Sequence, residues 1–320
     1  MDVACTGIGQ KGILVRFFRG IQAFDENNAI VMSSGPGYQS RIYKTTDGCR
    51  TWQLVFTNPD APKGFFDALQ FKPRPDGERT GDLLGDPVAG KFTQFRTDDG
   101  GKHWVRIHGP YAASAEEGEA VFAASNSSLL EVRGWTLFVT GGSRSRSRVV
   151  EENVKHDPFV FLKFVGGNLP LPRGASAGAF SVAARLGPPS GSDAIAAKYI
   201  FRPVYAGDVL VAVGGDYQRP EESNGTCAVS TDGSMHWKAS ETPPHGYRFS
   251  VAYDAASRTW ATVGPNGTDI STDDGRNWRP LEPSAGEPID ADKNWKALSF
   301  PFVVDPSGRI GKLRAGAIAQ

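Results

Sequence analysis

The sequence predicts an all-β protein, a β-propeller of six or seven four-stranded blades in a single domain, 1–320. Three observations lead there. The first is a motif that occurs four times: Thr45 to Trp52, Thr97 to Trp104, Ser230 to Trp237 and Ser271 to Trp278. Its skeleton is Ser/Thr, any residue, Asp, any residue, usually Gly, two variable residues, Trp. A catalytic site occurs once per domain, so a motif repeated four times belongs to the architecture. The second is spacing. Trp52 to Trp104 is 52 residues, Trp237 to Trp278 is 41, and the middle gap of 133 holds about three such units. Propeller blades run roughly 40–50 residues with four strands each. The third is the regular alternation of strand-like runs and turn signals, with Gly 38 and Pro 22 in the chain.

The unit is clearest at 247–282, where YRFSVAYD, TWATVGPN, GTDISTDDG and NWRPLE read as four successive strands. The same order fits 19–57 and 65–109. A third unit, 119–165, starts at EAVFAASN and has no box. A fourth, 177–240, carries an insertion at about 187–206. The segments 3–15 and 294–313 read as shortened blades, and seven blades are favoured over six.

The residue types in the box suit a tight turn between the third and fourth strands of a unit. Asp and Ser/Thr cap nearby backbone groups, Gly takes the positive-φ position, and Trp packs between neighbouring sheets. Asp47, Asp99, Asp232 and Asp273 are therefore expected to hold turns, with Thr45, Thr97, Ser230 and Ser271 as their partners. Trp52, Trp104, Trp237 and Trp278 are expected to be wedges. Gly101 and Gly275 fill the glycine position, and Cys49 and Ser234 replace it in the other two copies, which predicts slight strain there.

Composition narrows the function classes. Lys+Arg and Asp+Glu are both 35, so nothing argues for nucleic acid or an anionic membrane as partner. No apolar run approaches the ~18 residues of a membrane span. MDVACTGIGQKG has an early Asp and no long apolar stretch, and does not read as a signal peptide. Cys5, Cys49 and Cys227 are odd in number and widely spaced, so reduced thiols are expected. Three sequons, at Asn126, Asn224 and Asn266, weigh weakly toward secretion.

The four boxes resemble the Asp-box, or BNR, repeat of sialidases, some endoglucanase propellers and sortilin-type domains. A closer resemblance, over most of 17–313, is to the family of propellers similar to the photosystem II stability/assembly factor. It is carried by SRIYKTTDGCRTWQLVFTN, FFDAL, LGDPVAGKFTQFRTDDGGKHW, VGGDYQRPEE, GYRFSVAY and GPNGTDISTDDGRNWRPL. That resemblance implies an exported binding or assembly protein. Some members are called oxidoreductases, but no cofactor motif here supports that role. Gly7 to Gly12 matches G-x-G-x-x-G, yet ILVRFFRGIQAF follows as strand where a dinucleotide fold needs a helix, so it reads as a hairpin turn.

Residues able to carry chemistry are few. A sialidase needs arginines to grip a carboxylate, and Arg19, Arg148 and Arg248 are the candidates. FRPVY (201–205) is similar to the sialidase arginine motif but lies inside the insertion. A glycoside hydrolase needs two carboxylates, for which Asp67, Asp86, Glu119 and Asp216 are candidates. His103, His108, His156, His236 and His245 show no metal-ligand spacing, and the first and fourth lie inside boxes. The run Arg144 to Arg148 is balanced by Glu151 and Glu152 and reads as a solvated loop. The resulting expectation is a non-catalytic scaffold, without cofactor or metal, that grips a protein or glycan through rim loops 58–64, 110–118, 187–206 and 218–225 and the channel mouth. A monomer is expected. The alternative is an Asp-box glycoside hydrolase. Carboxylates and arginines gathered at one mouth would favour the enzyme, and scattered ones the scaffold.

Overall fold

The computed structural model describes residues 17–74, 77–108, 112–132, 135–144, 146–151, 167–188 and 207–314. The N-terminal Gly-rich stretch, Cys5, FVFLKFV, most of the 187–206 insertion and Glu152 lie outside them. The chain is an all-β β-propeller. It divides into two compact units, Met1–Ala115 and Glu116–Gln320.

The first unit holds two antiparallel meanders. One is β1 (Phe17–Ala23), β2 (Ala29–Ser34), β3 (Arg41–Thr45) and β4 (Gln53–Thr57). The other is β5 (Phe66–Pro73), β6 (Arg79–Val88), β7 (Lys91–Thr97) and β8 (Val105–Arg106). Both pair in chain order. Strand β2 is buried along its whole length, which is why AIVMSS lacks the alternation of a half-exposed strand. Ile30, Met32 and Ile42 of the first meander pack against Phe66, Leu69, Phe71, Leu83 and Phe95 of the second. Phe56 lies between them, 5.9 Å from the Phe66 ring and 4.9 Å from that of Phe95. Each side chain so buried contributes roughly 1.5–3 kcal/mol.

The second unit contains β9 (Glu119–Ala120), β10 (Leu129–Val132), β11 (Trp135–Val139), β12 (Gly141–Gly142) and β13 (Ser147–Glu151). Next come β14 (Gly174–Arg185), β15 (Val209–Asp216), β16 (Cys227–Ser230) and β17 (Lys238–Ala239). The last are β18 (Ser250–Asp254), β19 (Thr259–Val263), β20 (Thr268–Ser271), β21 (Arg279–Leu281), β22 (Ala297–Ser299), β23 (Phe302–Val304) and β24 (Ile310–Lys312). Strands β18 to β21 form a meander, and β22 to β24 a three-stranded one.

Among the described residues of the expected 119–165 unit the sheet is β10-β11-β13, and its first strand is LLEV at 129–132, not EAVFAASN. The two-residue β9 instead pairs with β12, and β12 with β14, extending the neighbouring sheet to β17-β16-β15-β14-β12-β9. The reason lies in hydroxyls and glycines. Ser125 Oγ donates to the Phe249 carbonyl at 2.7 Å and Ser127 Oγ to Ser181 Oγ at 2.7 Å, which draws 125–127 out of any ladder. Gly141 has room only for hydrogen, since a Cβ there would run into Phe122 and the Ala177 carbonyl.

All four boxes join a third strand to a fourth: β3 to β4, β7 to β8, β16 to β17 and β20 to β21. They share one hydrogen-bond pattern. The Ser/Thr hydroxyl donates to the Asp carboxylate, at 2.8 Å for Thr45–Asp47 and Thr97–Asp99, 3.0 Å for Ser230–Asp232 and 2.9 Å for Ser271–Asp273. The same hydroxyl accepts the N–H of Cys49, Gly101, Ser234 or Gly275. The carboxylate then accepts the N–H of the residue before the Trp, at 3.0 Å in every copy. Its second oxygen takes that residue's side chain: Thr51, His103, His236 or Asn277.

Two successive residues in each box have left-handed backbone. They are Gly48 and Cys49 (φ 69°, 66°), Gly100 and Gly101 (70°, 86°), Gly233 and Ser234 (81°, 65°), and Asp274 and Gly275 (63°, 77°). Cys49, Ser234 and Asp274 thus adopt a conformation that costs an L-residue roughly 1–2 kcal/mol. Trp104 stacks on Phe56 at 6.0 Å and meets the Phe71 ring edge-on at 5.7 Å. Trp237 belongs to one buried cluster with Val132, Leu137, Val139, Leu210 and Ala228. Trp278 packs among Val211, Val229 and Trp260. The Trp237 and Trp278 indoles donate to the carbonyls of Ser234 and Gly275 at 3.1 and 2.9 Å. Those of Trp52 and Trp104 have no hydrogen-bond partner.

Candidate functional site

In the first unit, the structure brings together two of the expected acids. Asp67 lies at a bulge of β5, between Phe66 and Ala68, and Asp86 at a bulge of β6, between Gly85 and Pro87. The strands come close there because residue 85 is Gly, where any Cβ would run into the Phe65 carbonyl. Asp67 is 1% exposed and its Oδ2 has no partner. Burial pushes its pKa well above the usual carboxylate range, and the charge of Asp86 adds to this. Arg19, at a bulge of β1 between Phe18 and Gly20, lies over the Phe17 ring at 5.8 Å.

In the second unit, the other expected residues are committed to their own surroundings. Glu119 accepts the Thr140 hydroxyl at 2.7 Å and the Glu116 N–H at 3.0 Å. Asp216 accepts the Gln218 N–H at 3.0 Å and Arg219 Nε–H at 2.9 Å. Its pKa is lowered: burial acts upward, but bonds from Ser176, Gln218 and Arg219 outweigh it. The partner of the basic run is Glu116, which holds Arg144 at 2.7 Å and Arg146 at 2.6 Å. Arg148 lies on β13, paired with Phe138.

Arg248, a candidate from the sequence, belongs to a cluster whose other members the sequence did not reveal. It is fully buried and donates through Nη2 to Asp269 Oδ2. Asp269, on β20, is 1% exposed, and its other oxygen lies 2.6 Å from His245 Nδ1. That nitrogen therefore carries a proton, and Arg248 Nη2, 3.0 Å away, is a second donor converging on the same carboxylate. His245 is 41% exposed at its side chain, and its Nε2 lies 3.2 Å from the Asn266 carbonyl oxygen. The Asp269 hydrogen bond raises the His245 pKa, against the effect of burial. Burial lowers that of Arg248, with Asp269 opposing.

Asp292 completes the cluster. Thr268 Oγ1 donates to its backbone carbonyl at 2.8 Å and pins the 282–296 loop to β20. Asp292 Oδ1 is buried without a partner, and burial raises its pKa. Gly267 (φ 150°) leaves the space that Asp292 and His245 share: a Cβ there would lie 2.7 Å from Asp292 Oδ2 and 2.9 Å from His245 Nε2. Asp292 also lines two cavities. One, of about 630 Å³, is bounded by His245, Asn266, Glu282, Ile289 and Lys293. The other, of about 530 Å³, is bounded by Leu281, Trp295, Val303 and Arg309. A cavity with convergent polar groups and perturbed pKa values is where ligand binding is sought first. Among the described residues, no helix is long and apolar enough to cross a membrane.

No protein-family profile matches the sequence, and no curated protein does. Solved structures are similar in fold. An ancestral GH74 enzyme matches over 93% of this chain and 39% of its own, at 11% identity and a TM-score of 0.51. YCF48 bound to D1 peptide matches over 82% of this chain and 66% of its own, at 12% identity and a TM-score of 0.47. An α-L-arabinofuranosidase from Fusarium graminearum, in complex with an iminosugar inhibitor, matches over 92% of this chain and 91% of its own, at 12% identity and a TM-score of 0.48. This chain thus spans just under two thirds of the YCF48 chain and well under half of the GH74 one. The structural neighbours of this β-propeller include a peptide-bound protein and sugar-cleaving enzymes, and at such identities the likeness concerns fold alone.

Proposed function

We propose that the protein is a non-catalytic, assembly-factor-like binding scaffold that recognises a protein or glycan through rim loops and the channel mouth. The carrying observation is that four of the seven acids and arginines suited to catalysis are hydrogen-bonded or buried within the fold. Glu119 and Asp216 are hydrogen-bonded, Arg248 is sealed against Asp269, and Asp67 is sealed without access. The cavities beside the 282–296 loop add a recognition surface to the rim loops inferred from sequence. Within this reading the four turns are Asp-box repeats whose aspartates are structural. The chain is one domain, with seven blades favoured over six, and acts as a monomer.

A glycoside hydrolase is the second reading, and one observation favours it. Asp67 beside Asp86 is a pair in which burial, and then the neighbouring carboxylate, raise the pKa of one acid, and pairs of acids whose pKa values are pushed apart are the arrangement from which acid and base roles are made. Arrays of peptides and glycans, probed with the full chain, test the scaffold. Binders whose signal falls in Ile289→Asp, at an 88% exposed position on the cavity wall, support it. The absence of any binder, together with glycoside turnover, contradicts it.

A further inference from the structure

We propose that the second proton on the His245 ring is a pH-dependent latch. It holds the 264–267 turn against the buried Asp269–Arg248 pair, and through that turn it holds rim loop 218–225, which loosens as pH rises. Proton counting around the ring is the first argument. Arg248 Nη2 has two N–H groups, and both are placed: one donates to Asp269 Oδ2 and the other to the His245 carbonyl oxygen at 3.2 Å. None remains for His245 Nδ1. That nitrogen lies 2.6 Å from Asp269 Oδ1, so it donates. Nε2 lies 3.2 Å from the Asn266 carbonyl oxygen, which only accepts, so it donates as well. A ring that donates from both nitrogens is an imidazolium, and the fold is built around His245 in its charged form.

Asn266 is the joint, and its bonds are the second argument. While its carbonyl accepts from His245, its side-chain Nδ2 donates to the Pro220 carbonyl at 2.7 Å and to Glu221 at 3.2 Å, both in rim loop 218–225. The Pro220 carbonyl also accepts the Tyr247 N–H at 2.9 Å. Gly264 N–H closes the turn onto the Gly267 carbonyl at 3.0 Å. From the 282–296 loop, Asn294 N–H donates to the Pro265 carbonyl at 3.2 Å. Two loops of the recognition surface therefore hang on the turn that His245 grips. Without its second proton, Nε2 turns a lone pair toward the Asn266 oxygen, and repulsion replaces the bond.

The charges around the ring set the direction. Asp269 of β20 is the anion in contact, and its hydrogen bond is the main cause that raises the His245 pKa. Burial and the Arg248 cation, just ahead of β18, act against it. Asp292 and Lys293 of the 282–296 loop line the same cavity as the ring, as do Glu282 and Glu287. A histidine whose folded pKa is raised contributes stability that is complete below the unfolded value of about 6.5 and is lost as pH rises through the folded value. The latch is therefore closed in acid and opens on the alkaline side of about 6.5.

The latch is tested without a ligand, so its failure is distinct from failure of the scaffold reading, under which binding through rim loop 218–225 weakens over the same interval. Ring-nitrogen chemical shifts of His245 in the full chain, assigned through its own backbone signals, are followed from about pH 5.5 to 9. Amide exchange, corrected for intrinsic rates, is followed alongside at Tyr247, Gly264 and Asn294. The ring should titrate with a midpoint above about 6.5, and protection of the three amides should fall with the same midpoint. The two readouts are linked: a midpoint one pH unit above the unfolded value requires about a tenfold loss of protection. His245→Gln should flatten the pH dependence of protection, and the wild-type titration decides the matter alone if that variant fails to fold. A midpoint at or below about 6.5, or protection that holds while the ring loses its proton, overturns the proposal.

Discussion

Asp273 holds Asn277 with both carboxylate oxygens: Oδ1 accepts its backbone N–H at 3.0 Å and Oδ2 its side-chain Nδ2–H at 2.8 Å. Ser271 donates to the same Oδ1 at 2.9 Å. Ionised aspartate is acceptor-only, so this geometry uses it as a turn clamp. Asp273→Ala should lower stability by about 1–2 kcal/mol, as loss of a capping side chain does. Chemical denaturation would register it, and an unchanged midpoint would remove the clamp from the account.

Left-handed backbone at the box glycine position gives opposite expectations for two substitutions. Cys49→Gly relieves a φ of 66°. It should stabilise by about 0.5–1 kcal/mol, the αL cost less glycine's extra chain entropy. Gly101→Ala should destabilise, because its Cβ would come 2.5 Å from Ile30 Cδ1 and 3.2 Å from the Phe71 ring in the packed core. Paired thermal melts would show midpoints moving in opposite directions.

Trp278 is a wedge with a polar handle. It is 5% exposed, packs against Val211, Val229 and Trp260, and donates to the Gly275 carbonyl at 2.9 Å. Trp278→Ala should cost about 3–5 kcal/mol. Trp278→Phe keeps much of the packing and loses the hydrogen bond, so its cost should be clearly smaller. Urea unfolding of both variants separates the two contributions.

Asp67 and Asp47 should give opposite pH dependences. Burial raises the Asp67 pKa in the folded protein, so folding favours its protonated form. Its contribution is therefore best below the unfolded value near 3.9 and is lost as pH rises through the folded value. Asp67→Asn should remove this loss and stabilise the protein at neutral pH. Asp47 is lowered to about 2, chiefly by the Thr51 hydroxyl and N–H. Its contribution is present above the unfolded value and lost as pH falls through about 2. Melting curves from pH 2 to 8 on wild type, Asp67→Asn and Asp47→Asn would reveal both signs.

The boxes were legible because the hydrogen bonds of their shared Ser/Thr–Asp pattern fall within five residues of chain, from Ser271 to Gly275 or Asp273 to Asn277. Such local patterns survive as residue types at fixed offsets. The β9–β12–β14 pairing was not legible, since two-residue strands carry no periodicity and their partners are set by Gly141 and Gly142 meeting Gly178 and Gly174. The His245–Asp269–Arg248 cluster was only partly legible. Arg248 was one of three arginines that could grip a carboxylate, but Asp269, His245 and Asp292 come from separate segments that meet through folding. Gly267 begins GTDISTDDG, which read only as the third strand of its unit.

The central claim is that this propeller binds without cleaving, its best-placed carboxylates being used by the fold. The most direct measurement is turnover of a panel of aryl glycosides, sialosides included, by the purified wild-type chain and by Asp67→Asn, Asp86→Asn and Glu119→Gln. The account predicts no turnover by the wild-type protein on any member of the panel. Turnover by wild type that disappears in Asp86→Asn or Asp67→Asn would contradict it and make the paired acids of β5 and β6 an active site.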